Sequence, residues 1–468
     1  MKIIFVIILS LGSATAALSQ VVDTPETLDL TALSFEMDTE IGLLSIDNSD
    51  GDGERYLSSV FAPVFSKGIL SAGLRLRYRW NQNGVRDEDY DELADFMAML
   101  RFLQYSEKDA VGSYIRVGDL DLAQIGYGQF VNKYRNTLSL DTPETGVLAD
   151  YSTPALKFEG LFSNIISPEV YAFRGSFSPF LSDIGSKRQN MSFGFTLAGD
   201  LSEDARLVNS QKNAKAFVRD EAPLGADTLG IGSTEQLSPL TMIAFDVGLP
   251  IKSSRFDQVE AYAEMGNILG FGSGLGIGIQ ADKKKDHIEW KGWFEQRLLG
   301  REYLPSYFNS RYEVDRIRKT TVTLADDSQI EAIQTKRNLL RDRDKVEFGS
   351  FGGMEIRFTR HYRLRWSLEH SWSRKGSGWF EIDFRVTDPT LPFQFRFVFD
   401  RVNMDSLNDI IFGANENGLV RMEMAYLFKK HLLMGFRYRQ SFENIESLGG
   451  IVGQKKRTRI EPALIIRI

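Results

Sequence analysis

The chain has 468 residues, a formal net charge of −7 and no cysteine, which excludes a lipoprotein anchor, disulfides and any thiolate-held zinc or iron–sulfur centre. Beyond the N-terminus there is no run of 18 or more uncharged apolar residues, so transmembrane helices are excluded. The apolar content of 43 % leaves membrane strands open, because each needs only about 9–11 residues, half of them apolar.

Residues 1–19 read as a secretory signal, to be set aside from the fold. Lys2 supplies the charged start, Ile3 to Leu11 the apolar core, and Ala14-Thr15-Ala16 or Ala17-Leu18-Ser19 a small-residue cleavage site. The remainder, 20–468, reads as one unit.

Leu33 to Ile46 is the first expected strand and Tyr56 to Phe65 the second. The acidic stretch Asp47–Glu54 between them reads as a hairpin loop. It has oxygen ligands but not the regular spacing of a calcium loop. Ala72 to Trp80 alternates cleanly, with Arg75, Arg77 and Arg79 on one face and Leu74, Leu76, Tyr78 and Trp80 on the other. A polar loop, Asn81–Asp95, precedes a strand at Phe96–Tyr105. Tyr114 to Ser139 is ambiguous: Gly126-Tyr127-Gly128-Gln129 fits a strand, a bulge or an inward fold. Strands follow at Leu156–Phe162, Glu169–Phe177 and Met191–Gly199, then a long polar insert, Asp200–Ser238.

Thr241–Leu249, Val259–Met265, Leu275–Ile279 and His287–Arg297 are the next strands. Gly274, Gly276 and Gly278 fall on one face, so nothing bulky is expected to enter the lumen there. Gly270–Gly276 lacks the lysine and helix of a phosphate loop. Lys283-Lys284-Lys285 reads as a turn that ends a strand and not as a nucleic-acid patch; no nucleic-acid partner is expected.

A second insert, Gly300–Asp344, precedes the most regular part of the chain, Val346–Ile468. There Phe393, Phe395, Phe397 and Phe399 face away from Gln394, Arg396, Val398 and Asp400, and the neighbouring strands repeat the pattern. The polar face carries Arg357, Arg363, Arg365, Arg385, Arg396, Arg437, Arg439 and Arg459, with Glu347, Glu355, Glu369, Glu381, Asp383, Asp400, Glu423 and Glu461. No amphipathic helix is long enough to cover the apolar face, so a second protein layer is missing. A closed barrel in a bilayer resolves this, with lipid covering the oily outside and water meeting the charged inside.

Loop lengths give an independent sign. Pro250–Ser254, Asp282–Asp286, Thr359–His361, Asp388–Leu391 and Lys429–His431 are tight, while Gly300–Asp344, Asn403–Asn417 and Glu443–Lys456 between them are longer; Arg374–Gly378 breaks the trend. The expected fold is therefore all-β, a transmembrane antiparallel up-and-down barrel. About 19 strands can be counted, and one more between Tyr114 and Ser139 makes the number even, within a range of roughly 16–20. Trp80, Trp290, Trp366, Trp372 and Trp379 lie near strand ends, as an interfacial aromatic girdle requires.

The architecture resembles Gram-negative outer-membrane β-barrel proteins, and porins in strand number. The departure is the end, Ile466-Arg467-Ile468, where such barrels commonly close on an aromatic residue. The resemblance implies an exported protein of the outer membrane. Its partners would be lipid, lipopolysaccharide and polar small solutes, with an oligomer open and no cofactor. Arg75, Arg77, Arg79, Arg357, Arg363, Arg365, Glu369, Glu381, Asp383, Arg385, Arg396, Asp400, Glu423, Arg437 and Arg439 would line a pore narrowed by one of the inserts, or would pair across a narrow lumen and plug it. The alternative is a barrel that binds, exports or assembles a surface polymer or secretion partner. No enzyme is expected. His287, His361, His370 and His431 have no metal spacing, and no nucleophile, base and orienting group converge.

Overall fold

The computed structural model describes residues 33–47, 53–86, 93–106, 112–137, 144–180, 191–203, 239–251, 253–323, 329–359, 361–388, 390–412, 418–429, 432–446 and 451–467, with short pieces between them. The signal segment, the acidic hairpin loop 48–52, most of the 200–238 insert, His431 and Ile468 lie outside the described residues.

Twenty antiparallel up-and-down strands form one sheet. They are β1 (Leu33–Asp47), β2 (Gly53–Lys67), β3 (Leu70–Leu74, resumed as Leu76–Asn81), β4 (Leu100–Tyr105), β5 (Gly112–Gly118), β6 (Gly146–Ser152) and β7 (Leu156–Phe162). Next come β8 (Val170–Phe177), β9 (Ser192–Asp200), β10 (Leu240–Pro250), β11 (Gln258–Ile268), β12 (Ser273–Lys285), β13 (Ile288–Leu299) and β14 (Glu347–Phe358). The series ends with β15 (Tyr362–Ser371), β16 (Gly378–Val386), β17 (Phe393–Met404), β18 (Gly418–Lys429), β19 (Leu432–Glu446) and β20 (Ile451–Arg467). β1 pairs with β20 from Glu36↔Arg467 to Glu40↔Ala463, which closes the barrel. The closing ladder stops one residue short of Pro462, which has no backbone N–H.

Among the described residues the outward face is oily on strand after strand. Phe61, Leu103, Phe158, Phe195, Ile277, Phe348, Phe393 and Met424 are all exposed, and no protein layer covers them. No described helix is long and apolar enough to cross a membrane. Strands do the crossing, and hydrocarbon is the solvent that this outer face fits. Phe245, at the middle of β10, is 61 % exposed. Phe245→Arg is expected to cost about 2–4 kcal/mol, the depth-dependent cost at the bilayer midplane. Denaturant unfolding in liposomes, with the inward-facing Gln280→Arg beside Glu260 as a contrast, checks it.

The connections sort by rim. Residues 82–99, 119–145, 201–239 and 300–346 leave one rim, while 68–69, 153–155, 286–287, 359–361 and 430–431 close the other; 163–169, 269–272 and 372–377 are short connections on the first rim and 178–191 is a long one on the second. Leu33, where β1 begins, and Arg467, where β20 ends, belong to the short-turn rim. The ambiguous stretch resolves into β5 followed by an inward fold, and β6 is a further strand that the sequence pattern did not mark.

Four expectations are corrected here. Residues 96–99 are not strand: a short helix, Leu93–Ala98, precedes β4. Lys283 to Lys285 continue β12, because Lys283, Lys284 and Lys285 pair with Trp290, Glu289 and Ile288, and the turn is only 286–287. The 443–456 stretch is not a long loop; β19 and β20 pair there, with Glu443 opposite Lys455. Trp379 does not belong to an outer girdle: it is buried and its indole N–H donates to Asp400 at 2.9 Å. Trp372, 56 % exposed at the long-loop rim, does fit that role.

Candidate functional site in the barrel lumen

Two connections from the long-loop rim turn inward and meet. In residues 119–137 the chain doubles back: Ala123 and Tyr134 exchange backbone hydrogen bonds of 2.9 and 2.8 Å around a turn at Gly126-Tyr127-Gly128. Gly126 has φ +58°, and a Cβ there would stand 2.8 Å from Cδ of Arg174, so glycine is required on both counts. Residues 301–316 run alongside. Ser306 N–H donates to the Gln129 carbonyl (2.8 Å), Phe308 N–H to Phe130 (2.9 Å), and Asn132 N–H to Phe308 (3.0 Å). The two segments form one plug.

Its oily side faces one arc of the wall. Leu120, Ile125, Phe130, Tyr134, Tyr303, Phe308 and Leu340 form a single buried cluster with Leu161, Ala172, Ala198, Met242, Ala244 and Leu299. The wall residues lie at the long-loop ends of β7 to β13. Small side chains there leave room for large ones on the plug. The glycines of β12 show this most clearly, and they overturn the expectation that nothing bulky approaches. Tyr303 lies against Gly274, and its hydroxyl would be 2.6 Å from a Cβ on Gly266; Tyr262 covers Gly278.

Polar contacts seat the rest. The buried Arg316 guanidinium meets Asp200 at 2.8 Å and Glu313 at 3.3 Å, and also bonds Glu169. The Tyr312 hydroxyl donates to Asp200 (2.5 Å) and Tyr134 donates to Glu313. Glu203 accepts from Tyr307 (2.5 Å) and Arg337 (3.1 Å). In the wall itself Arg174 holds Asp246 with two nitrogens, at 3.0 and 2.7 Å, and Glu159 with a third at 2.9 Å. Lys133 of the plug bonds Ser367 and stands 3.4 Å from Glu381. Burial brings Lys133 down to about 8, with Glu381 opposing the change.

Burial also pushes Glu203 up to about 7, reinforced by Asp200 and opposed by Arg337. The docked plug therefore binds a proton that solvated Glu203 releases. This contribution to docking is complete below pH 4.5 and is lost as pH rises through about 7. Protection of the 301–316 amides, corrected for the intrinsic pH dependence of exchange, should fall over that window, and Glu203→Gln should flatten the response.

The fifteen candidate residues divide into three groups. On β3, Arg75 bonds Asp119, Arg77 accepts the Tyr90 hydroxyl at its carbonyl, and Arg79, fully buried, lies 3.3 Å from Asp89. β20, β1 and β2 separate this group from the others. A second group is sealed against the plug and does not face open water. Glu381 and Asp400 are 1–2 % exposed. Asp400 accepts from Ser310 (3.1 Å), and Glu369 accepts from Ser306 (3.0 Å) and lies 3.1 Å from Arg297. The third group lies toward the short-turn rim. Arg357 and Arg363 donate to Glu355 at 2.6 and 3.2 Å, with Arg365 at 4.0 Å. Asp383 is 3.5 Å from Arg396 and 3.8 Å from Arg385; Glu423 is 3.5 Å from Arg439 and 3.9 Å from Arg437. The side chains of Arg459 and Glu461 lie outside the described residues.

Sequence reasoning missed Asp121, Lys133, Arg135, Glu203 and Arg316. One signal was present: Tyr303, Tyr307, Phe308 and Tyr312 are aromatics in an otherwise polar insert. Of the histidines, His370 approaches Ser377 at 3.5 Å; the Ser377 hydroxyl lies 2.9 Å from the Ser371 carbonyl and 2.7 Å from that of Arg374 and accepts from Ser371 N–H, which braces the turn. Buried Glu144, Glu169 and Glu313 have carboxylate oxygens within 4.8 Å of one another, and Arg316 supplies charge to two of them.

No protein-family model matches the chain, and no curated protein does. Solved structures similar to it include a mutant of the ferric enterobactin receptor of Pseudomonas aeruginosa (TM-score 0.34, 7 % identity, 94 % of this chain and 81 % of that one). OpdL of Pseudomonas aeruginosa gives TM-score 0.30 and 8 % identity over 94 % of this chain and 98 % of that one. A mutant porin of Rh. blastica gives 0.25 and 8 % over 93 % and 100 %.

Proposed function

We propose that this barrel sits in a Gram-negative outer membrane and conducts polar small solutes, porin-like, past an internal constriction. The observation that carries the reading is the asymmetry of the plug seat. On the β7 to β13 side the plug is fixed by apolar packing and by the dry Arg316 cluster, in which Asp200 has no exposure and Arg316 is 1 % exposed. On the β15 to β17 side it meets the wall through Lys133, Arg135, Asp121 and Ser310, in contacts that are ionic or hydrogen-bonded apart from Lys133 over the Trp379 ring. Water and a polar solute can compete for contacts of the second kind, and cannot for the first. The charged residues from Glu355 to Arg439 would line the route.

Planar-bilayer recording from folded, purified protein tests this. Discrete conductance steps are expected; their absence, with a barrel shown intact by heat-dependent gel mobility, would sink it. Co-purification of a stable partner through the 201–239 region would favour a docking or export barrel instead.

A further inference from the structure

We infer that the lumen on the short-turn side of the plug holds a binding station for an organic anion with two or more oxyanionic groups, centred on Arg363, Arg385 and Arg396. The inference rests on the channel reading for its role in transport, but not for the binding itself.

Register carries the first part of the argument. Arg357 pairs with Arg363, Arg363 with Arg385, and Arg385 with Arg396, so four guanidinium-bearing residues stand directly opposite one another across β14 to β17. Like charges in facing positions destabilise a sheet. A chain with a net charge of −7 has enough carboxylates to avoid such a row. Only the first two arginines have a hydrogen-bonded acid, Glu355. Arg385 and Arg396 share Asp383 at 3.8 and 3.5 Å, without hydrogen-bond geometry, and Arg396 reaches Asp121 only at 3.9 Å. Asp121 is held more closely by Arg135, at 2.9 Å.

The unused donors carry the second part. Nε of Arg363, Arg385 and Arg396 is buried with no acceptor, as is that of Arg316, so what sets the row apart is access. The ends of these side chains are still partly open, with Arg385 35 % and Arg396 19 % exposed, whereas Arg316 and Arg297 in the plug seat are 1 %. Adjacent strands lie about 4.8 Å apart, so three forks span about 10 Å. Guanidinium forks bind carboxylate and phosphate oxygens in pairs. A solute with two such groups bridges two neighbouring forks, about 4.8 Å apart; a monovalent acid satisfies one fork and leaves the others repelling.

The test uses the full chain, folded in detergent, with pyrophosphate and citrate as probes and acetate as control. Titration calorimetry should show pyrophosphate and citrate binding where acetate does not; a preference between the two assigns phosphate or carboxylate. R385Q/R396Q should weaken binding about tenfold or more, since each site loses charge-assisted bonds. It relieves repulsion, so folding is expected to persist. R385K/R396K keeps the charge and loses the forks, and should weaken binding while an anion preference in a KCl gradient remains. Equal binding of all three anions, or unchanged binding in R385Q/R396Q, would overturn the inference. Pyrophosphate binding by a barrel that shows no conductance would support the station and overturn the channel reading alone.

Discussion

Replacing residues 301–344 with a short Gly-Ser turn is expected to raise single-channel conductance several-fold and to leave a folded barrel. The two parts of the expectation have different physical origins. The barrel is a closed hydrogen-bond ladder, and no rung of the β13 to β14 pairing from Ile288↔Phe358 to Leu299↔Glu347 uses the insert. The lumen, by contrast, is filled by Tyr303, Tyr307, Phe308 and Tyr312, each fully buried. Removing them forfeits burial worth about 1.5–3 kcal/mol per large apolar side chain. The barrel should therefore melt earlier and conduct more. Wall charges exposed by the deletion, such as Glu369 and Asp400, pass from protein partners to water at little further cost. Gly274→Val is a milder form of the same test. Its side chain would collide with the Tyr303 ring, so the plug must shift while the ladder is untouched. Conductance equal to the unaltered protein in both variants, with heat-dependent mobility retained, would show that the insert does not obstruct the route.

The same distinction explains what the sequence could and could not reveal. Membrane strands are constrained by two solvents at once, so Phe393 to Asp400 announces both faces in eight letters. The plug is constrained only by the cavity it fills. Its turn at Gly126-Tyr127-Gly128 and its paired runs Phe130–Asn132 and Ser306–Phe308 have no period, and their partners are more than a hundred residues away. The complementary wall is equally silent, because Ala172, Ala198 and Ala244 read as weak strand positions until the plug side chains are set against them. Above the hydrocarbon the alternation rule lapses. Gln454, Lys455 and Lys456 read as loop, yet they pair with Asn444, Glu443 and Phe442. Trp379 illustrates the limit of residue type as a signal: its indole ring suits an interface, and equally an inner wall where Asp400 accepts the N–H. The arginine faces were legible as polar. Which of them stay wet was not, because it depends on where the plug stops.

Arg316→Met is expected to have the largest effect of any single substitution, releasing the plug while leaving the barrel closed. Arg316 stands between Glu169 just before β8, Asp200 at the end of β9 and Glu313 of the plug. It is the charge that lets three carboxylates share a dry site. Removing one partner of a buried ion pair costs about 3–5 kcal/mol, because the charges left behind have neither water nor a counter-ion. In most proteins that cost would lower global stability. Here the ladder does not depend on Arg316, so the cheapest relief is for the plug to undock and hydrate Asp200 and Glu169. Amide exchange across 301–316 should rise sharply, while the barrel's thermal midpoint falls no further than it does on deleting 301–344. Arg316→Lys keeps the charge but cannot span two carboxylates with one planar fork, and should fall between. Arg316→Met combined with Glu313→Gln removes one of the stranded charges and should recover part of the docking. A thermal midpoint that drops while plug exchange stays slow would mean that the ion cluster braces the wall and not the plug.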